Sequence, residues 1–134
     1  MTLEHLLAIH KLQSFEASAV GVQRLLASAS RNLADAGITA LSSENRFDAA
    51  YKAIMQCAMV GLWANGYRTS ISQPGHHQTA LQVLPKTLGL ELDVVIVLDA
   101  LRKQRNVNDY EGDPVSDSAV AECCKQAAFL LEHT

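Results

Sequence analysis

The residues best equipped for chemistry lie between Leu101 and Tyr110, in the run LRKQRNVNDY. On a helix, positions three and four apart are neighbours. That spacing sets Arg102 beside Arg105 and Asn106, Arg105 beside Asp109, and Asn106 beside Tyr110. Two guanidiniums, an amide, a carboxylate and a phenol then share about a third of the helix surface. Arginine's planar fork can grip a phosphate through two hydrogen bonds at once. A solvated helix end satisfies the same spacing, with Arg105–Asp109 as an ordinary surface pair worth about 0.3–0.5 kcal/mol.

A second group is His76-His77, directly after Pro74-Gly75. Adjacent helical residues point about 100° apart, so the two imidazoles cannot share one metal as an i, i+4 pair can. No nearby cysteine or carboxylate completes a ligand set, and no metal or other cofactor is expected. Polar capping of a helix start, or contact with a partner surface, is the expected role. His10 falls on an apolar stripe, where a hydrogen-bonded, half-buried imidazole is the default. His133 suits the negative end of a helix dipole. Cys123 and Cys124 cannot readily pair with each other at helical geometry and read as small apolar residues. The chain lacks G-x-S-x-G, G-x-x-x-x-G-K-[ST] and G-x-G-x-x-G, so hydrolase, P-loop and dinucleotide-binding classes have no support.

These groups need elements to hold them, and the apolar period supplies helices. A first short helix runs from Leu3 to about Lys11, capped by Thr2. A second runs from about Ala17 to Ala36, with Gly37 after it in a left-handed conformation. Ser42 or Ser43 caps a third, whose stripe is Phe47, Ala50, Tyr51, Ile54, Ala58 and Leu62 and which stops at Asn65-Gly66. Residues 67–75 read as a loop with a turn at Pro74-Gly75. The next helix spans about His76 to Leu84, where Pro85 disfavours its continuation. DVVIVLD has the β-branched content of a buried strand. No other segment alternates to pair with it, however, and its apolar positions continue into helix formers. A helix from about Leu90 to Asn108, buried nearly all round in its first half, is the better reading. Gly112-Asp113-Pro114 forms a turn, and Ser116 caps a last helix.

The chain has 134 residues and 14.5 kDa, enough for one domain. It is 49% apolar and 19% charged, with a mean hydropathy of +0.05. Nineteen alanines stand against seven aromatic residues, a balance that suits close-packed helices. The expected fold is all-α, an antiparallel bundle of four to five helices over residues 1–134. Net charge is −3 and pI 5.9, without the basic excess of a duplex-DNA binder. Three cysteines in no disulfide pattern point to a reducing cytoplasm. The N-terminal stretch, interrupted by Glu4 and two histidines, is not read as a signal peptide. The strictly apolar run Val94–Leu98, which no other run exceeds, is far short of a membrane span.

Several segments together resemble the small bacterial members of the HEPN superfamily (higher eukaryotes and prokaryotes nucleotide-binding). They are RFDAAYKAIMQCAMVGLWANGYR at 46–68, PGHH at 74–77, LRKQRNVNDY at 101–110 and the tail VSDSAVAECCKQAAFLL. The resemblance spans most of the chain in the expected order. It implies an antiparallel bundle that dimerises through the helices bearing the polar motif. Many such proteins are ribonucleases whose signature is Arg, four residues, then His. Arg105 and Asn106 match the start of that signature, and Tyr110 occupies the histidine position.

The departure matters, because metal-independent RNA cleavage is helped by a group titrating near neutrality. A phenol with a reference pKa of about 10 is only about one part in a thousand ionised at pH 7. The resemblance therefore implies a non-catalytic HEPN-like homodimer with a groove of Arg102, Arg105, Asn106, Asp109 and Tyr110. Its ligand is a nucleotide, an RNA phosphate or a protein partner. The alternatives are a ribonuclease using Arg105 with Tyr110 or with His76/His77, and a purely structural bundle. In the family's toxin–antitoxin setting the partner is a small nucleotidyltransferase able to modify a tyrosine near the motif.

Overall fold

Four hydroxyl side chains open four of the helices. Thr2, Ser18, Ser42 and Ser116 each accept a hydrogen bond from the backbone N–H three residues on, at 2.9–3.2 Å. Each bond satisfies a donor that the helix itself leaves unpaired. The computed structural model describes residues 2–70, 72, 75–112 and 114–134. The described chain runs α1 (Leu3–Ala8), β1 (Leu12–Ser14), α2 (Ala19–Ala36), α3 (Ser43–Ala64), β2 (Tyr67–Thr69) and α4 (His76–Gln82). It continues with α5 (Leu84–Thr87), α6 (Leu92–Glu111) and α7 (Asp117–His133). Four long helices with short ones between them make an all-α bundle, as the composition and periodicity predict. Among the described residues, no helix is long and apolar enough to cross a membrane.

The core is built around α3. Eleven of its 22 residues are buried, from Phe47 to Leu62. Helices α2 and α7 pack along it, and β2, α4, α5 and α6 meet it as well. Alanine content explains the close fit: Ala50, Ala53 and Ala58 on α3 face a core that includes Ala29 and Ala127. Gly61 admits α5 by having no side chain. A Cβ there would lie 3.0 Å from Leu88 Cγ and 3.1 Å from Thr87 Oγ1.

Several expectations are corrected. Helix α1 ends at Ala8, because His10 adopts a φ of 64° and turns the chain out of the helix. His10 is exposed rather than half-buried. The chain then enters a short antiparallel ladder that pairs Leu12 with Thr69, Gln13 with Arg68 and Ser14 with Tyr67. The segment read as a loop from 67 thus begins as a strand. Three residues are too few for alternation to show in sequence. Gly37 is not left-handed, with a φ of −82°. Pro85 sits at the start of α5 instead of merely ending α4, a position where its missing N–H costs nothing. The DVVIVLD segment is helical as read, but α6 is not sheathed all round. Leu92 and Ile96 are 65% and 61% exposed. Pro74 of the Pro74-Gly75 turn and Asp113 of the Gly112-Asp113-Pro114 turn lie outside the described residues.

The ladder gives the first prediction. Leu12 is 1% exposed, whereas its neighbour Gln13 faces solvent. Leu12→Ala should lower unfolding free energy by about 2–5 kcal/mol in a denaturant titration. Gln13→Ala should change it by no more than about 0.5 kcal/mol. Equal effects would contradict the difference in burial between the two residues.

Candidate functional site

Helical phase in α6 decides which of its polar residues face inward. Leu98 and Leu101 are buried, and Arg105 follows Leu101 by one turn on the same face. Asn106 and Tyr110 stand about 100° and 140° round the helix from Arg105. Both are exposed, Tyr110 by 85%. The sequence-derived cluster is therefore divided. Arg102, Arg105 and Asp109 lie toward the inner side, and Asn106 and Tyr110 lie outside it. Arg102 is already engaged, since its Nε donates to Asp99 Oδ1 at 2.8 Å. Lys103 Nζ approaches the other Asp99 oxygen at 3.4 Å. These contacts, the Arg102 hydrogen bond first, hold the Asp99 carboxyl below its usual range.

Arg105 is the less committed guanidinium. Its Nη2 lies 3.6 Å from Asp109 Oδ2, a longer contact than that of Arg102, and its carbon sits 5.2 Å from the ring centre of Tyr51. Tyr51 comes from α3 and is 2% exposed. A buried phenol needs a partner for its hydroxyl, and the partner is His77 Nδ1 of α4, at 3.2 Å. The His76 and His77 rings meet edge to face with centroids 4.7 Å apart. Gly75, with a φ of 76°, leads the chain into α4 just before them.

Arg105, Tyr51 and His77 line a cleft of about 410 Å³ with Asp48, Lys52 and Met55 of α3; His76 lies outside that lining. The sequence placed Arg105 and His77 in separate groups; the fold brings both to one wall. It also adds Asp48, Tyr51 and Lys52. Tyr51 was legible only as a stripe residue of the core. A phenol on an otherwise non-polar stripe, with a lysine and an aspartate one and three residues away, was the available signal.

The electrostatics follow from burial. His77 is pushed down to about 4, by burial first and then by the nearby His76, Arg105 and Arg102. It is neutral at pH 7. Tyr51 is pushed up to about 12, chiefly by burial, and stays a neutral phenol. Burial, aided by the Asp109 charge, also raises the Asp48 carboxyl, while Arg105 pulls it down. Two cations, one acid, a phenol and an uncharged imidazole can therefore bind an anion through charge and donated hydrogen bonds. No group of His, Cys, Asp or Glu among the described residues could hold a metal ion. The three cysteines are free thiols. Burial drives Cys57 up to about 11 and Cys123 up to about 12, so neither offers a thiolate nucleophile at neutral pH. His133 does sit at a helix end, its Nδ1 2.9 Å from the Phe129 carbonyl.

His77 carries a pH signature. Below about pH 6.5 the unfolded chain takes up a proton that the folded chain refuses until pH reaches about 4. Stability contributed by the neutral ring is therefore present above pH 6.5 and lost as pH falls through that window. An NMR titration of His77 should give a midpoint of about 4. His77→Gln should flatten the pH dependence of unfolding between about pH 4 and 6.5. A midpoint at the ordinary histidine value would contradict the described burial.

No protein-family model, no curated protein and no solved structure matches the chain, and the site stands on its own geometry.

Proposed function

We propose that the chain is a non-catalytic HEPN-like helical protein whose α3–α4–α6 cleft holds the phosphate of a nucleotide or an RNA strand. The observation that carries this reading is the stacking of Arg105 over Tyr51 at 5.2 Å, in a cleft that also presents Lys52 and neutral His77. A guanidinium held on a phenol face keeps its donors positioned, and its contact to Asp109 is a long one, at 3.6 Å. Tyr110, which takes the place of the motif's histidine, is outside the cleft and supports binding over cleavage.

The exposed side of α6 supports homodimerisation. Leu92, Ile96, Val107 and Tyr110 are all exposed on one face of the helix. A groove of about 390 Å³, formed with Gln82 of α4, runs beside Leu92 and Ile96. Ridge beside groove suits a two-fold contact, in which each copy offers both surfaces. In the unpaired chain, the exposed phenol of Tyr110 also suits modification by a nucleotidyltransferase-type partner. Three free cysteines support a cytoplasmic setting.

One observation favours a second reading, a metal-independent ribonuclease. His77 brings an uncharged imidazole into the Arg105 cleft, within one hydrogen bond of Tyr51. Such a ring can accept the proton of a 2′-hydroxyl. RNA cleavage measured in a chelator, on wild type, Arg105→Ala and His77→Ala, separates the two. Background rates in all three support binding alone; cleavage lost in both variants establishes the ribonuclease.

Calorimetry with nucleoside monophosphates and short RNA tests the binding itself. Arg105→Ala should weaken affinity roughly tenfold to a hundredfold, the range for charge-assisted hydrogen bonds. Asp48→Asn should strengthen it by removing the opposing charge, and Tyr110→Phe should leave it unchanged. No heat with any of these ligands leaves only a structural bundle. Sedimentation of the wild type should give twice the 14.5 kDa chain mass. Ile96→Glu should return it to one chain.

A further inference from the structure

The Arg105 cleft does not end at His77. A second cleft of about 240 Å³ shares Met55, Met59 and His77 with it, and a third of about 290 Å³ shares Met59 and Thr69 with the second. Their common floor is α3, from Asp48 to Trp63, fifteen residues apart. At 1.5 Å per residue that is about 22 Å of groove.

The chemistry changes along its length. Lys52 and Arg105 supply positive charge at one end. Met55 and Met59 supply a flexible apolar middle that can adapt to what lies on it. At the far end the ladder between β1 and β2 does the positioning. Phe15 N–H bonds the Gly66 carbonyl at 2.9 Å, and Arg68 is paired in register with Gln13. Phe15 and Trp63 meet with ring centroids 5.1 Å apart, and the Arg68 guanidinium lies 4.9 Å from the Phe15 ring centre. Arg68 Nε donates to Gln13 Oε1 at 3.1 Å, which steadies it there. The Trp63 indole N–H is buried and has no hydrogen-bond partner among the described residues, a costly state for a donor.

Charge is concentrated on this groove against the trend of the chain. The net charge is −3, yet the lining of the three clefts holds Lys52, Arg68 and Arg105 against one acid, Asp48. Cations interleaved with aromatic faces are what an unpaired nucleic acid strand requires: the cations track the backbone and the rings stack bases. A lone nucleotide would leave most of the groove empty. Bases stacked about 3.4 Å apart would fill it with roughly six nucleotides, and an extended strand with fewer.

We infer that Phe15, Trp63 and Arg68 form a distal nucleobase subsite, so that the groove takes a short single strand anchored by a phosphate at Arg105. The inference rests on the phosphate reading of the Arg105 cleft. It adds a second site, on different elements, to that reading.

The chain has one tryptophan, and it lies at the distal end. Tryptophan emission, excited where the three tyrosines do not absorb, therefore reports that end alone. The experiment titrates 5′-phosphorylated oligouridylates of one to six nucleotides into the wild type, Arg105→Ala and Arg68→Ala, following calorimetric affinity and tryptophan emission. The mononucleotide should bind without changing emission. Longer strands should bind roughly tenfold tighter or more and quench it. Arg68→Ala, an exposed change that spares the core, should remove the length increment while keeping mononucleotide affinity. Arg105→Ala should weaken every length by a similar factor. Mononucleotide binding with no gain in affinity and no quenching at any length overturns the distal subsite and leaves the Arg105 reading intact. Binding at no length overturns the phosphate reading, and the subsite with it.

Discussion

Helix α3 meets nearly every other element of the fold, and the positions of the others follow from how its surface can be covered. Half of its residues are buried, and most of those are aliphatic, alanine or glycine. Such a surface can be sheathed closely, but it tolerates no polar group left alone. Tyr51 is the one phenol among the buried residues of α3. Its hydroxyl must be satisfied from another element, and His77 does so at 3.2 Å. That bond fixes the start of α4 against the middle of α3. The face of the same phenol then receives Arg105 from α6. Three helices converge where a buried hydroxyl required a partner, and the cleft forms over that junction.

The same geometry explains why α6 has two different faces. Its inner face carries Leu98 and Leu101 into the core and, one turn later, Arg105 into the cleft. Its outer face keeps Leu92, Ile96, Val107 and Tyr110 in solvent. Arg102 is held close by Asp99 on the same helix, at 2.8 Å, whereas Arg105 has only a longer contact, 3.6 Å to Asp109, and faces the cleft. The spacing Arg-x-x-Arg is thus divided by function: one arginine is tied by a neighbouring carboxylate and the other rests on an aromatic ring.

The four long helices were legible because each has a period, and three of their starts carry a hydroxyl cap. What the sequence hid has a common cause: it depends on contacts between distant segments. The β1–β2 ladder joins residues 12–14 to 67–69, and three-residue strands leave no pattern to read. Exposure of Leu92 and Ile96 is set by which neighbours cover α6, and an apolar run cannot report that. Within the site, Arg105 was legible from its helix, and His77 was singled out without a location. Their approach runs through Tyr51, which the periodicity assigned to the core. That assignment was correct for its ring and silent about its hydroxyl. Asn106 and Tyr110 were grouped with Arg105 by spacing alone, and helical phase separates them.

The protonation state of His77 bears on what the cleft can do. Burial and the positive field of His76, Arg105 and Arg102 together push its pKa down to about 4, and both influences act against the imidazolium. A base that weak is a poor match for proton transfer at neutral pH, where efficiency peaks for groups titrating near the working pH. An anion seated beside Arg105 changes the balance, because its charge opposes the field that holds His77 neutral. Binding and protonation are then linked: the anion favours the imidazolium, and the imidazolium favours the anion. Without an anion, His77 serves structure by accepting or donating to the Tyr51 hydroxyl at no charge cost. With one, protonating the ring costs less than it does in the empty cleft. The positive field that helps weaken His77 as a base in the empty cleft is therefore the influence that an arriving anion opposes.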